Sequence, residues 1–158
     1  MTQKIIGISL ATLVLILDQI SKWIVLNYLM VPPQTIPITS FFNIVLAWNR
    51  GVSFGLLSSN HPYGAWALAS IALIFSGILT HWIWKAETRL VAIGFGLILG
   101  GALGNLMDRL HFAAVTDFLD FHVFGWHFWA FNVADSAITV GVVVIFLEYF
   151  QEIWSKKK

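Results

Sequence analysis

Four stretches of this sequence are apolar over lengths that suit a helix crossing a membrane, roughly residues 5–29, 65–84, 90–107 and 133–150. A bilayer core of about 30 Å takes about 20 helical residues. Inside hydrocarbon each backbone N–H and C=O must be paired, which leaves the helix as the form open to such segments. The composition agrees: 58% of residues are hydrophobic and 11% charged, and the mean hydropathy is +0.80. This takes the chain out of the soluble globular class. The first stretch runs to about Leu29 without a small-residue cleavage site and reads as a mature span, not a removable leader.

Only Lys85-Ala-Glu-Thr-Arg89 separates the second and third stretches, so they form a helical hairpin. Lys4, Lys85, Arg89 and Lys156–Lys158 fall on one side of the membrane, and Arg50 and Arg109 on the other. The positive-inside tendency then makes both termini cytoplasmic. Two long connections, residues 30–64 and 108–132, face outward. In the first, Pro32, Pro33 and Pro37 break any helix. Thr35–Thr39 and Phe42–Trp48 alternate and are β-branched, which predicts short strands in a small cap on the membrane surface. A helical or disordered stretch follows before the second span. The expected fold is an all-α membrane protein of four transmembrane helices with a small extracytoplasmic β-rich cap.

Charge is scarce here, so its placement is informative. Asp18 and Lys22 stand four apart on one helical face, in the acid-first order that suits an ion pair. Two readings stay open: a structural pair at the outer interface with Lys22 snorkelling, or an Asp18 that lines a site. Gly96, Gly100 and Gly104 recur every four residues and predict close helix packing. That packing places Asn105 and Asp108 at the outer end of a tightly held helix. A short aromatic loop carrying Asp117 and Asp120 is expected next. Asn132, Asp135 and Thr139 share a face at the start of the last helix, where Asn132 suits an N-cap.

Several chemistries are disfavoured. A formal net charge of +1 gives no field for nucleic acid. With no cysteine there is no thiolate nucleophile, thiolate metal site or disulfide. Gly51-Val-Ser53-Phe-Gly55 matches G-x-S-x-G but lacks the strand-turn-helix setting that makes the motif work, so Ser53 reads as a turn residue. His61, His81, His111, His122 and His127 contain no H-E-x-x-H and read as interfacial or hydrogen-bonded. What remains is a group of aspartates at one rim. Two carboxyls held close cannot both ionise, so one keeps a proton and serves as acid while the other activates water. Asp108, followed by Arg109, reads as scaffolding, and Asp120 as solvated. Spacing alone does not choose the pair. A small transport or channel subunit is the rival reading, since membrane acids also mark ion paths.

At these residues the sequence resembles the bacterial lipoprotein signal peptidases, or signal peptidase II. The likeness runs through essentially the whole chain. It rests on Asp18-Gln19-x-Ser21-Lys22, Trp48-Asn49-Arg50-Gly51 with Phe54-Gly55, Gly100-Gly101 through Gly104-Asn105 to Asp108-Arg109, Val115-Thr-Asp117-Phe118, and Phe131-Asn132-Val-Ala134-Asp135-Ser136. Val52 and Ser53 depart from the small residues common after the cap's Asn-x-Gly. The resemblance implies that Asp117 and Asp135 are catalytic. It implies that Asn132 and Asn49 are active-site polar residues, and that Asp18, Asn105, Asp108 and Arg109 support the site. It further implies a diacylglyceryl-modified prolipoprotein substrate cut before its lipidated cysteine. The expected setting is the bacterial inner membrane, with the site at the extracytoplasmic face and membrane lipid as a partner. No metal or organic cofactor is implied, a monomer is expected, and cyclic peptides such as globomycin are expected to block the site.

Overall fold

A computed structural model describes residues 2–51 and 62–155. The G-x-S-x-G motif beyond Gly51, Val52, His61 and the stretch expected before the second span lie outside the described residues, as do Lys156–Lys158. Four helices are long and apolar enough to cross a membrane. They are α1 (Thr2–Ile24), α2 (Pro62–Lys85), α3 (Arg89–Phe112) and α4 (Val133–Ser155). The last turn of the first span widens to a π-helical turn, Val25–Leu29, which Met30 N closes onto Val25 O at 2.9 Å. Between α2 and α3 the Thr88 side chain accepts from Val91 N at 3.2 Å and caps α3.

Helix α3 is the centre of the bundle and packs on all three others. Its glycines explain how. A methyl group at Gly96 would lie 2.5 Å from Gly7 O, one at Gly100 would lie 2.5 Å from Ala11 O, and one at Gly104 would lie 2.5 Å from the Asp18 carboxylate. That face is pressed against α1. A second face, Gly94 and Gly101, meets Gly141 and Ala134 of α4 with equal intimacy. In lipid no hydrophobic force drives helices together, so such close approach and the hydrogen bonds it permits set the packing. Leu13, Leu17, Leu73, Ile74, Phe146 and Leu147 point outward and exposed, as lipid-facing side chains must.

The cap is an antiparallel sheet in the order β1–β2–β3–β4, with β1 (Ile36–Thr39), β2 (Phe42–Asn49), β3 (Val115–Val123) and β4 (Trp126–His127). Its first two strands fall where the β-branched alternation places them. The second connection differs from expectation. Helix α3 continues through Asp108 and Arg109 to Phe112, ends at Ala113 in the left-handed region (φ 54°), and leads into a nine-residue strand instead of a loop. That strand is long because it is central, pairing with β2 on one side (Ala47 opposite Asp117, Asn43 opposite Asp120) and with β4 on the other. Phe124 and Gly125, both at positive φ, make the tight turn into β4. Val25, Met30 and Phe118, with Leu29, Ile44 and Val133 around them, form an apolar cluster that seats the sheet on the end of the first span and the start of α4.

Candidate active site

Asp117 lies on β3 and Asp135 in the first turn of α4, and both line one cavity of about 670 Å³. Asn132 connects them. Its side-chain Nδ2 donates to Asp117 Oδ1 at 2.7 Å, and its Oδ1 accepts from the backbone N–H of Asp135 at 2.9 Å. Asp135 Oδ2 in turn accepts from Asn132 N at 3.3 Å. This is a reciprocal capping box. The cap expected at Asn132 therefore forms, and it draws in Asp135 as well. The reciprocal bond fixes the Asp135 rotamer.

Each carboxyl has a second donor. Asn49, at the end of β2, gives Nδ2 to Asp117 Oδ2 at 3.0 Å and accepts from Gly51 N at 3.0 Å. Asn105 gives Nδ2 to Asp135 Oδ1 at 2.8 Å. Arg109 holds the cap's edge by donating to Gly51 O at 3.1 Å. Asp117 is almost completely buried. Burial first, and the negative charge of Asp135 second, lift its carboxyl to about 7, while the bonds from Asn49 and Asn132 and the charge of Lys22 act the other way. The cavity's remaining wall is largely apolar and includes Trp48, Phe128, Trp129, Ile138 and Val140. The site joins one carboxyl about half protonated at neutral pH to a second carboxyl, in an apolar recess.

Beneath the cavity lies a buried charge cluster that the sequence showed only in part. Lys22 is 3% exposed, so it does not snorkel. Its ammonium group contacts Asp18 at 2.8 Å, Asp108 at 3.1 Å and Asn105 Oδ1 at 3.1 Å. Asp18 is fully buried and accepts from Ala134 N at 2.9 Å, under the cavity and not in its lining. Asp108 also accepts from Thr116 N at 2.8 Å and from Gln19 at 3.1 Å, as scaffolding should. The helical spacing of Asp18 and Lys22 was readable; the third partner, from α3, was not. Asp120 is corrected too. It is buried, not solvated, because Asn43 stands directly opposite on β2 and donates to it at 2.9 Å. Nothing in the local sequence signals that pairing across 77 positions. Among the described residues, no group of three or more His, Asp or Glu side chains is arranged to hold a metal ion.

Four apolar spans, and a recess between α4 and the cap that holds two bridged carboxyls, point to a membrane-embedded enzyme of the hydrolase class. Comparison with known proteins names the family. Residues 10–151 match the family described as Signal peptidase (SPase) II. The chain is 43% identical over 149 residues to a lipoprotein signal peptidase of Burkholderia vietnamiensis (strain G4 / LMG 22486), covering 94% of this chain and 88% of that one. It is 37% identical over 159 residues to one of Methylobacterium sp. (strain 4-46), covering 100% and 94%. Two solved bacterial membrane enzymes, each 31% identical, superpose with TM-scores of 0.83 (96% of this chain, 91% of the other) and 0.76 (90% and 91%). The chain belongs to the signal peptidase II family, whose members are aspartic-type proteases.

Proposed function

We propose that this protein removes the signal peptide from diacylglyceryl-modified prolipoproteins, cutting before the lipidated cysteine. The proposed setting is the outer face of the bacterial inner membrane, with both termini cytoplasmic and globomycin-type cyclic peptides as blockers. The reading of the chemistry rests most on one observation: Asn132 bonds to Asp117 and to Asp135 at once, within a single apolar cavity. The orientation rests on the basic residues Lys85 and Arg89 in the turn between α2 and α3 and on those at the termini. The chain is taken as one integral peptidase domain. A transport path would spread its acids through the membrane depth, whereas Asp18 and Asp108 are neutralised by Lys22 directly below the recess.

In this mechanism Asp117 is assigned as the protonated partner and Asp135 as the ionised one, since two carboxyls this close share one negative charge. Asp135 takes a proton from water as the water oxygen bonds to the scissile carbonyl carbon, and Asp117 gives its proton to the carbonyl oxygen. The neutral gem-diol then collapses. Asp135 passes its proton to the departing nitrogen, the C–N bond breaks, and Asp117 recovers a proton from a gem-diol hydroxyl. Asn49, Asn105 and Asn132 hold the carboxyls throughout, and the apolar wall accepts the lipid-modified peptide at the hydrocarbon boundary. The test is cleavage of a diacylated prolipoprotein against its unlipidated form, with wild type, Asp117→Asn and Asp135→Asn in lipid. Wild type cuts the diacylated form preferentially, and each variant inserts normally but loses at least about a thousandfold in rate. Wild-type rates in either variant would remove the assignment.

A further inference from the structure

The segment Phe128–Phe131 joins β4 to α4 and forms one wall of the cavity that holds Asp117 and Asp135. Phe128, Trp129 and Ala130 also line a second, smaller cavity of about 410 Å³, whose other lining residues include Asp120 and His127. These three residues are thus a thin partition with open space on both sides. Its ends are pinned to β3: Phe128 N donates to Phe121 O at 2.7 Å, and Phe131 exchanges bonds with Leu119 at 2.8 and 3.0 Å. At the first end, beside Phe128, a chain of side chains adds to the pairing of His127 with His122. His127 Nδ1 reaches Asp120 Oδ2 at 2.9 Å and Oδ1 at 3.0 Å. Asp120 accepts from Asn43 Nδ2 at 2.9 Å. The His122 ring stacks on His127 with centroids 5.0 Å apart and backs it from the other side.

We infer that the Asn43–Asp120–His127 chain is a positioning device that fixes the Phe128–Phe131 partition and so sets the width of the cavity facing the peptide beside the scissile bond. A carboxylate buried in the cap, 5% exposed, costs stability unless its partners are held, so the cluster has one well-defined geometry. That geometry is passed to Phe128, the residue next to His127. Without the His127 bond the partition can shift toward the empty space behind it. The cavity then fits small and large peptide side chains less distinctly, while the two carboxyls, held by Asn49, Asn105 and Asn132, stay in place. None of the three residues of the chain touches the reacting atoms.

The inference rests on the proposed cleavage reaction for its substrate class, and the experiment separates the two. His127→Ala and His127→Asn are compared with wild type in lipid nanodiscs; asparagine keeps a donor nitrogen at the δ position. Hydrogen exchange of peptides spanning 126–132 is followed without substrate, and kcat and KM are measured on diacylated prolipoproteins with Gly, Ala or Leu before the cut. His127→Ala should raise exchange of the segment about tenfold and raise KM for the Gly and Ala substrates about tenfold. It should keep kcat within about twofold and narrow the gap between Ala and Leu; His127→Asn should restore most of each. Unchanged exchange in His127→Ala overturns the inference, and so does a fall in kcat at constant KM. If wild type cuts none of the substrates, the cleavage reading fails, and the exchange data still decide whether this chain holds the partition.

Discussion

Replacing Asn49 with leucine isolates one of the forces acting on Asp117. The Asn49 bond to Oδ2, 3.0 Å long, favours the charged form of that carboxyl. Leucine fills a similar volume and keeps water out while removing the donor. A hydrogen bond to a charged group contributes about 1.5–3 kcal/mol, and one pKa unit corresponds to about 1.4 kcal/mol. Losing a bond that stabilises the anion raises the proton affinity, so the carboxyl moves up from about 7 by about one to two units. In the proposed mechanism Asp117 must carry its proton, so activity in wild type declines as pH rises through about 7. At pH 8 a group titrating near 7 keeps its proton in roughly one molecule in eleven, and one titrating near 8 in about half. Normalised to its own acid-side plateau, Asn49→Leu should therefore be about fivefold more active than wild type at pH 8. The assay is initial cleavage rate of a diacylated prolipoprotein from pH 5 to 9 in nanodiscs, with substrate above KM. The limb belongs to the carboxyl pair and reports their joint state. An alkaline limb that stays in place, or moves to lower pH, refutes the assignment of Asp117 as the protonated partner.

Lys22→Met should be severe, because it leaves Asp18 and Asp108 buried without their cation. Thermal unfolding in detergent should show a loss of about 3–5 kcal/mol, and a change under about 1 kcal/mol would contradict the cluster. Gly96→Ala should lower stability by about 1–3 kcal/mol through overpacking, since the new methyl meets the Gly7 backbone at 2.5 and 3.1 Å. Gly77→Ala, with nothing within 4 Å of the added carbon, is the matched control and should not lower the unfolding temperature. Chelation by EDTA should leave cleavage intact; loss of activity that zinc restores would favour a metal-assisted reaction over the carboxyl pair.

The spans were legible because hydropathy over 20 residues is a property of each segment alone. Strands β1 and β2 were legible for a similar reason, as β-branched alternation marks them locally. Strand β3 was not. Asp117 and Asp120 interrupt its apolar pattern, and its partner β2 lies about 70 positions earlier in the chain. The same distance hid Asp120's partner Asn43. Lys22 illustrates the limit of a spacing rule: four-residue periodicity gave its bond to Asp18, but a rule confined to one helix cannot supply Asp108 from α3. The glycine face at 96, 100 and 104 was visible through its regular spacing. The face at 94 and 101, seven apart, was not, although it is pressed against α4 just as closely. Asn132 and Asp135 could be placed at a helix start from sequence. That their side chains cap each other while Asn132 also grips Asp117 required the sheet, the helix and the cap to be in register.

The two glycine faces and the carboxyl pair are parts of one arrangement. The space that a side chain at Gly104 would fill holds the Asp18 carboxylate. That carboxylate binds Lys22 of its own helix at 2.8 Å and the backbone N–H of Ala134 in α4 at 2.9 Å. One buried group therefore ties α1 and α4 together against α3. From Lys22 the network passes to Asn105 of α3 and from there to Asn132 and Asp135. Every link is a hydrogen bond near 3 Å, a contact that weakens once the helices separate by more than a few tenths of an ångström. A larger side chain on α3 would widen the α1–α3 gap and break the chain at Lys22 before it disturbed the apolar wall. Because lipid offers no hydrophobic force to close such a gap again, the tolerance is set by the glycines. The spacing of small residues on α3 is accordingly a condition for the placement of Asp135, and substitutions there should reduce catalysis through Asn105 even in molecules that remain folded.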